Sequence, residues 1–102
     1  MTAPIYLNIQ AARSQLQREK LLYTLRRPRG VGVAQARQGG YYEFEPLGWV
    51  EIVLIQENAT DDQLVQYLPS SGFPSIQAWR IAAGPDQTHL YRVSVKIARR
   101  DA

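Results

Sequence analysis

The spacing of apolar residues changes several times along the N-terminal third of the chain, and each change predicts a different element. Residues 5–9 alternate apolar with polar or small side chains, as a short strand does. Residues 11–20 are rich in helix formers, with apolar side chains four apart, and predict a helix of about two or three turns. Residues 21–26, LLYTLR, predict a strand that Pro28 and Gly30 end.

The middle of the chain has the aromatic and β-branched residues that are typical of a sheet. Residues 31–36 predict a further short strand. Residues 41–45 and 48–57 are predicted as two paired strands, separated at Pro46. Because the second of these is almost continuously apolar, we expect it to lie in the centre of the sheet.

Capping residues mark two helix starts in the second half of the chain. Thr60, with Gln63 three residues later, forms a capping box, in which each side chain accepts from a main-chain N–H of the other residue. The box predicts a helix over 61–68, which stops at Pro69. Ser75 is predicted to cap a second helix, whose inward-facing residues are Ile76, Trp79 and Ala83.

The last predicted element is a strand over residues 89–97, whose side chains alternate between apolar and polar. The order of elements is therefore strand, helix, several strands, two short helices and a final strand. Because closure removes exposed sheet edges, this order predicts an α+β fold, a small, partly closed mixed β-barrel of about five or six strands with two or three short helices. At 102 residues, we expect a single domain over 1–102.

Composition excludes several kinds of site. The chain has no Cys, which rules out disulfides, thiolate metal sites and a Cys nucleophile. His89 is the single His, so no metal site rests on two histidines. The N-terminus lacks a signal-peptide pattern, and no run approaches the roughly 20 apolar residues of a membrane span. We therefore expect a cytoplasmic protein without membrane contact, metal or cofactor, and we assume a monomer.

Positive charge is concentrated towards the N-terminus, although the net charge is only +3. Residues 1–40 hold seven Lys or Arg and one acid, whereas residues 41–62 hold six acids and no base. The stretch REKLLYTLRRPRG, residues 18–30, carries five of the twelve basic residues. Such asymmetry attracts phosphates, but ordinary solvated charges produce it equally well.

Three segments of the chain, by their sequence, order and spacing, resemble those of a known protein family. They are TLR at 24–26, PSSGFPSIQAWR at 69–80 and LYRVSVKI at 90–97. Together they resemble the ASCH domain family, a branch of the PUA-like β-barrels. The resemblance implies a PUA-like barrel with a cleft, between barrel and helices, that binds RNA or a nucleotide. It also implies two possible enzymes, a metal-independent ribonuclease and an amidohydrolase that acts on N4-acylated cytidine.

The family motif Gly-x-Lys-x-x-Glu-x-Arg fits only in part. With Arg26 at the motif Arg, the motif Glu falls on Thr24 and the motif Lys on Leu21. Lys20 is therefore one residue out of place. The amidohydrolase branch has Thr at the position of the motif Glu, which is Thr24 in this chain, and uses it beside the motif Lys. Lys20 and Thr24 are therefore the candidate catalytic residues, because a Thr nucleophile needs a base. The catalytic acid of that branch would fall near Ser71, where this chain has none.

Candidate residues for nucleic-acid binding combine cations with aromatic rings that stack on bases. An Arg within an apolar strand needs either a carboxylate partner or a ligand phosphate. Glu51 is the candidate partner of Arg26, and an ion pair between them would make Arg26 structural. For Trp49 and Trp79 we favour core packing. The candidates for nucleic-acid binding are Arg18, Tyr23, Arg26, Arg27, Arg29, Tyr41 and Ser71.

Three functions remain open on the sequence. The favoured one is an RNA- or nucleotide-binding module with a basic cleft beside the strand 21–27, whose partner is single-stranded RNA, a nucleotide or a nucleoside. The second is a small enzyme in the same cleft. The third is a protein-interaction or regulatory module whose basic face meets an acidic partner.

Overall fold

The chain folds as one curled sheet with short helices. The computed structural model describes residues 2–39 and 44–96, with side chains over 2–38 and 48–96. The strands are β1 (Ile5–Tyr6), β2 (Leu21–Arg26), β3 (Gly32–Gly39), β4 (Phe44–Gln56) and β5 (His89–Val95). The helices are α1 (Gln10–Glu19), α2 (Asp61–Leu64), which continues as a 3-10 helix (Val65–Ser70), and α3 (Ile76–Ala83).

The sheet is mixed, with the strand order β1-β3-β4-β5-β2. β1 runs parallel to β3, and the other neighbours are antiparallel. The sheet curls so far that its two edge strands approach each other, and Arg26 on β2 donates from Nη1 to the main-chain oxygen of Tyr6 on β1 at 3.0 Å. The result is a half-barrel, which confirms the predicted α+β, barrel-like fold with five strands in the described residues.

The first strand is shorter than predicted, whereas the first helix and the strand that follows it agree with the prediction to within one residue. β1 covers two residues, and Ile9, predicted in the strand, is the N-cap residue of α1. α1 is followed by its C-cap residue Lys20, whose backbone is left-handed (φ 63°) and whose N–H donates to the Leu16 oxygen at 2.8 Å. The chain enters β2 at the next residue, so the helix folds back against the strand that follows it.

β4 is one long strand instead of the two predicted strands. It runs through Pro46, where a separation was predicted. Gly48 has φ +121°, and the register with β3 shifts between Ala36 and Arg37. A bulge of this kind bends an antiparallel pair without ending it. The bulge therefore curls the sheet here, whereas the sequence signals were interpreted as a turn between two strands. Residues 41–43 lie outside the described residues.

The predicted helix caps are present. Thr60 Oγ1 accepts from the Gln63 N–H at 3.3 Å, and Gln63 Oε1 accepts from the Thr60 N–H at 2.9 Å, which confirms the capping box. The helix keeps α geometry for four residues and then tightens to a 3-10 helix that contains Pro69. Proline has no N–H for the carbonyl four residues earlier. Ser75 caps α3 as predicted, because its Oγ accepts from the Ala78 N–H at 3.1 Å.

Apolar side chains are buried on both faces of the sheet. The core on the concave face joins the sheet to α1 and consists of Ile5, Leu7, Ala12, Leu16, Leu22, Ala34, Ala36, Val50, Ile52, Tyr91 and Val93. A second core joins the ends of β2 and β5 to α2 and α3 and consists of Leu25, Ala59, Leu64, Trp79 and Leu90. A strand between two cores buries consecutive residues, as β2 does at Thr24 and Leu25.

The two tryptophans have different environments. Trp79 is 1% exposed in the second core, which confirms its predicted packing role. Trp49 is 40% exposed on β4, so its predicted burial is wrong. It pairs with Gln35 of β3, on the strand face opposite to that of its buried neighbour Val50. In the described part of the chain, no helix combines the length and the apolar character that crossing a bilayer requires.

Candidate functional site

A pocket of about 170 Å³ lies between the two edge strands of the half-barrel. One side is formed by β1 and the start of α1, and the floor is formed by β2. The opposite side is formed by α3 and the segments around it. The lining residues from the first side and the floor are Tyr6, Leu7, Asn8, Ile9, Ala12, Thr24, Leu25 and Arg26, and those from the opposite side are Phe73, Trp79, Ala82, Ala83 and Gln87.

The pocket lies against the part of the free edge of β2 that no other element covers. Where the strand begins, α1 covers this edge, and Gln15 Nε2 donates to the Leu21 oxygen at 3.1 Å. The segment after the 3-10 helix presses on α1 as well, because a Cβ on Gly72 would lie 2.5 Å from the Ala11 oxygen. At the other end of the strand the edge faces the pocket, which gives a ligand access to the sheet there.

Arg26 spans the gap between β2 and β1. Its Nε donates to Thr24 Oγ1 at 3.3 Å, and its Nη1 donates to the Tyr6 oxygen at 3.0 Å. Burial, and secondly the positive charge of Arg29, lower the pKa of Arg26 to about 10. Arg26 therefore remains a cation at neutral pH, but in surroundings that disfavour its charge.

The predicted ion pair between Arg26 and Glu51 is absent. Glu51 is exposed and pairs with Val33 and Ser94 across the sheet. Arg26 instead reaches across to β1, and no acid among the described residues forms an ion pair with it. A cation that is largely withdrawn from water without a counter-charge is costly. An anion that enters the pocket relieves this cost.

Thr24 lies beside Arg26, as the predicted site requires. It is 8% exposed and lines the pocket, and its hydroxyl accepts from Arg26. Lys20, the predicted base, lies elsewhere. It precedes β2, its Nζ donates to the Gln17 oxygen at 3.1 Å, and it does not line the pocket. The four residue-to-residue steps from Lys20 to Thr24 span about 13 Å along an extended strand. The structure therefore does not bring these two side chains together.

Two further predicted cations, Arg27 and Arg29, lie just outside the pocket. They line an adjoining depression together with Arg26, Pro28 and Gln87. Arg26 and Gln87 also line the pocket, so the two cavities adjoin at these residues. Arg27 is 70% exposed and forms a long ion pair with Asp86 at 3.8 Å. Its charge is therefore available at the mouth of the pocket.

Arg29 is mainly a structural residue. Its guanidinium donates to the main-chain oxygens of Ala3 at 2.6 Å, Pro4 at 3.4 Å and Gly30 at 3.1 Å. Its own N–H donates to Tyr91 Oη at 2.9 Å. Partial burial lowers the pKa of Arg29, against an opposing effect of Tyr91. Arg29 thus fastens the N-terminal segment to the sheet and adds positive charge near Arg26.

Arg18 and Tyr23, also predicted to bind nucleic acid, have other partners. Arg18 is exposed on α1, where Nη2 donates to Gln15 Oε1 at 3.0 Å and Nε lies 3.4 Å from Glu19. The ring of Tyr23 packs against that of Tyr67, with 4.6 Å between the ring centroids. Neither residue lines the pocket.

Ser71 has no exposed surface. Its Oγ donates to the Leu68 oxygen at 2.8 Å and accepts from the Phe73 N–H at 3.0 Å. These bonds fix the turn between the 3-10 helix and α3, so in this conformation Ser71 does not reach a ligand. Tyr41, the remaining predicted residue, lies outside the described residues.

The second wall of the pocket was not found from the sequence. Gln87 gives no pattern of its own, and Trp79 was interpreted only as core. Phe73 and Trp79 do lie in the segment that resembles the ASCH family, which is the one signal that pointed to this side. Their place in the pocket depends on how far the sheet curls, and local sequence does not encode that.

Comparison with known proteins does not identify the chain. The chain matches no protein-family model, no curated protein and no solved structure. Within residues 2–39 and 44–96, no group of three or more His, Asp or Glu side chains is placed to hold a metal ion. The function therefore has to be inferred from the pocket between the edge strands.

Proposed function

We propose that this protein is a cytoplasmic nucleotide-binding module that takes a nucleotide, free or as one residue of a single-stranded RNA, into the pocket between β1 and β2. One observation carries the proposal. Arg26 is a largely buried cation without an acid partner among the described residues, and it lines the same pocket as the aromatic residues Phe73 and Trp79. Ligand sites combine mostly apolar walls with a few placed polar groups in this way.

The size of the pocket divides the ligand into two parts. A volume of about 170 Å³ suits one flat group rather than a whole nucleotide. The rest of the ligand then lies at the mouth, where Arg26 and Arg27 line the adjoining depression. Guanidinium groups bind phosphate through charge-assisted hydrogen bonds. We therefore place the base inside the pocket and the phosphate at its mouth.

Nucleotide binding agrees with the resemblance to ASCH domains, and we propose that the protein is also related to that family. Binding is favoured over hydrolysis because Thr24 lines the pocket while Lys20 does not. Without a base, a Thr hydroxyl is a weak nucleophile. Binding is also favoured over a protein-interaction module, because the basic residues surround a concave pocket rather than a flat face.

Calorimetric titration with nucleoside monophosphates tests the proposal. The four ribonucleoside monophosphates are titrated into the wild type, Arg26→Met and Arg92→Met at low and at physiological ionic strength. Arg92 is the matched control, because it lies on β5 between the buried Tyr91 and Val93, faces away from the concave core and does not line the pocket.

We expect at least one nucleotide to bind, more weakly at higher ionic strength. Loss of charge-assisted hydrogen bonds of about 1.5–3 kcal/mol predicts a roughly 10- to 100-fold weaker affinity for Arg26→Met. Arg92→Met should stay within about twofold of the wild type. An Arg26→Met affinity equal to that of the wild type, or the absence of binding at low ionic strength, would contradict the proposal.

A further inference from the structure

The floor of the pocket contains main-chain groups as well as side chains. Resting on the proposed function, we propose that the N–H and C=O of Leu25 recognise the base by a pair of hydrogen bonds to an adjacent acceptor and donor on its edge. The recognition element is thus the free edge of β2, and it reads the hydrogen-bonding pattern of the base rather than its charge.

The direction of these groups follows from the pairing of β2 with β5. In an antiparallel pair, residues that exchange hydrogen bonds alternate with residues whose N–H and C=O point away from the partner strand. The Val95 N–H donates to the Lys20 oxygen at 3.1 Å. In the observed register, this bond makes Leu22, Thr24 and Arg26 the bonded residues. Leu21, Tyr23 and Leu25 therefore point to the free edge.

Two independent bonds support this assignment. Gln15 Nε2 reaches the Leu21 oxygen from α1, on the side away from β5. On the other side of β5, the Lys96 N–H donates to the Trp49 oxygen at 2.9 Å, so even-numbered residues of β5 bond to β4 and odd-numbered ones to β2. The main-chain groups of Leu25 therefore point away from β5, towards the pocket.

Among these three residues, Leu25 alone lines the pocket. It is 2% exposed, and the described residues give no side-chain or loop partner for its N–H or C=O. β1 does not supply one, since the two edge strands β1 and β2 are not paired in the described residues. Buried main-chain polar groups are nearly always hydrogen-bonded. A ligand in the pocket completes these bonds, and the apolar walls strengthen them by excluding water.

The chemistry of the site selects a flat group with a neighbouring donor and acceptor. The N–H and C=O of one extended residue point in the same direction, and the base edges of all four nucleotides offer a matching pair. A peptide strand offers the same pattern by strand addition, but it needs a run of free edge. Here α1 covers the edge on one side, and the Arg26–Tyr6 bond crosses it on the other. A single heterocycle fits where a strand does not.

Modified ligands test the inference on the unaltered protein. The tightest-binding ribonucleoside monophosphate is compared with the analogue in which methyl groups replace every hydrogen of the donor, which for uridine 5′-monophosphate is the N3-methyl derivative. Both are compared with ribose 5-phosphate. All three keep the phosphate that Arg26 and Arg27 bind, so the comparison isolates the base. Calorimetry gives the affinities, and the ¹⁵N–¹H spectrum follows the amide of Leu25.

We expect the methylated analogue and ribose 5-phosphate each to bind at least about tenfold more weakly than the nucleotide, the effect of one lost hydrogen bond in a dry site. The Leu25 amide should shift with the nucleotide and stay in place with both analogues. Equal affinity of the nucleotide and its methylated analogue, with the Arg26→Met loss retained, overturns recognition by Leu25 but leaves nucleotide binding intact. Failure of all four nucleotides to bind overturns both.

Discussion

At the scale of single residues, the account depends on Arg26 and on the contrast with Arg29, three positions away. Both are at least partly buried cations on the same side of the molecule, and burial lowers the pKa of each. Arg29 satisfies three main-chain oxygens of the chain itself. Arg26 has one main-chain oxygen and one hydroxyl as partners and faces a cavity. Arg29 is therefore assigned to stability and Arg26 to binding.

This contrast predicts that two matched substitutions change the free energy of unfolding by different amounts. Arg29→Met should lower the free energy of unfolding by about 2–3 kcal/mol, because it leaves main-chain oxygens without their charged donor. Arg26→Met should change it by less than about 1 kcal/mol, because the lost hydrogen bonds are offset by the relief of a buried charge. Urea denaturation of both variants measures the difference, and a larger loss for Arg26→Met would make it structural.

The constant charge of Arg26 also predicts how the affinity for a nucleotide depends on pH. Its pKa of about 10 keeps it cationic at neutral pH. The affinity for a nucleoside monophosphate should therefore be constant between about pH 7 and 9 and fall below about pH 6, where the phosphate dianion takes up a proton. The sign follows from the ligand, which loses half of its negative charge on protonation. Calorimetry over this range checks it, and an affinity that rises on acidification would contradict the role of the cation.

At the scale of elements, local signals located the caps and most strands, whereas contacts between elements decided the rest. The capping box at Thr60 and the cap at Ser75 involve neighbours in sequence, and both are present as predicted. β4 was predicted as two strands, because a bulge next to Gly48 has the same local residues as a turn. How far the free edge of β2 is covered depends on α1 and the segment at Gly72, which local patterns do not connect.

A glycine pair tests the contact that covers this edge. Gly72 and Gly84 both have left-handed backbones, with φ of +89° and +94°. A Cβ on Gly72 would lie 2.5 Å from the Ala11 oxygen, whereas one on Gly84 would meet nothing within 4 Å. Gly84→Ala should therefore lose only about 1–3 kcal/mol of unfolding free energy, the penalty of a positive-φ extended backbone that glycine favours.

Gly72→Ala should lose at least about 2 kcal/mol more than the Gly84 control, because α1 has to move away from the segment that follows the 3-10 helix. Chemical denaturation of the two variants gives the difference directly. Equal losses would show that this contact contributes nothing beyond the backbone conformation.

At the scale of the whole molecule, the site exists because the barrel does not close. β1 has only two residues and pairs with β3, which leaves β2 as an open edge facing it. The sequence predicted a partly closed barrel, and it predicted that Thr24 and Arg26 belong to the site. It did not predict which residues face them, since Asn8, Phe73 and Trp79 reach the pocket only through the curl of the sheet.

The central claim is that a nucleotide binds between the edge strands, and the two tryptophans report on it directly. Trp79 lines the pocket, whereas Trp49 is exposed on β4 and does not line it. The measurement is a ¹⁵N–¹H NMR titration with the tightest-binding ribonucleoside monophosphate. The account predicts saturable shifts of the Trp79 indole and of the amides of Thr24, Leu25 and Arg26, with the Trp49 indole unmoved. Shifts confined to Trp49 and its strand, or no saturable shift, would contradict it.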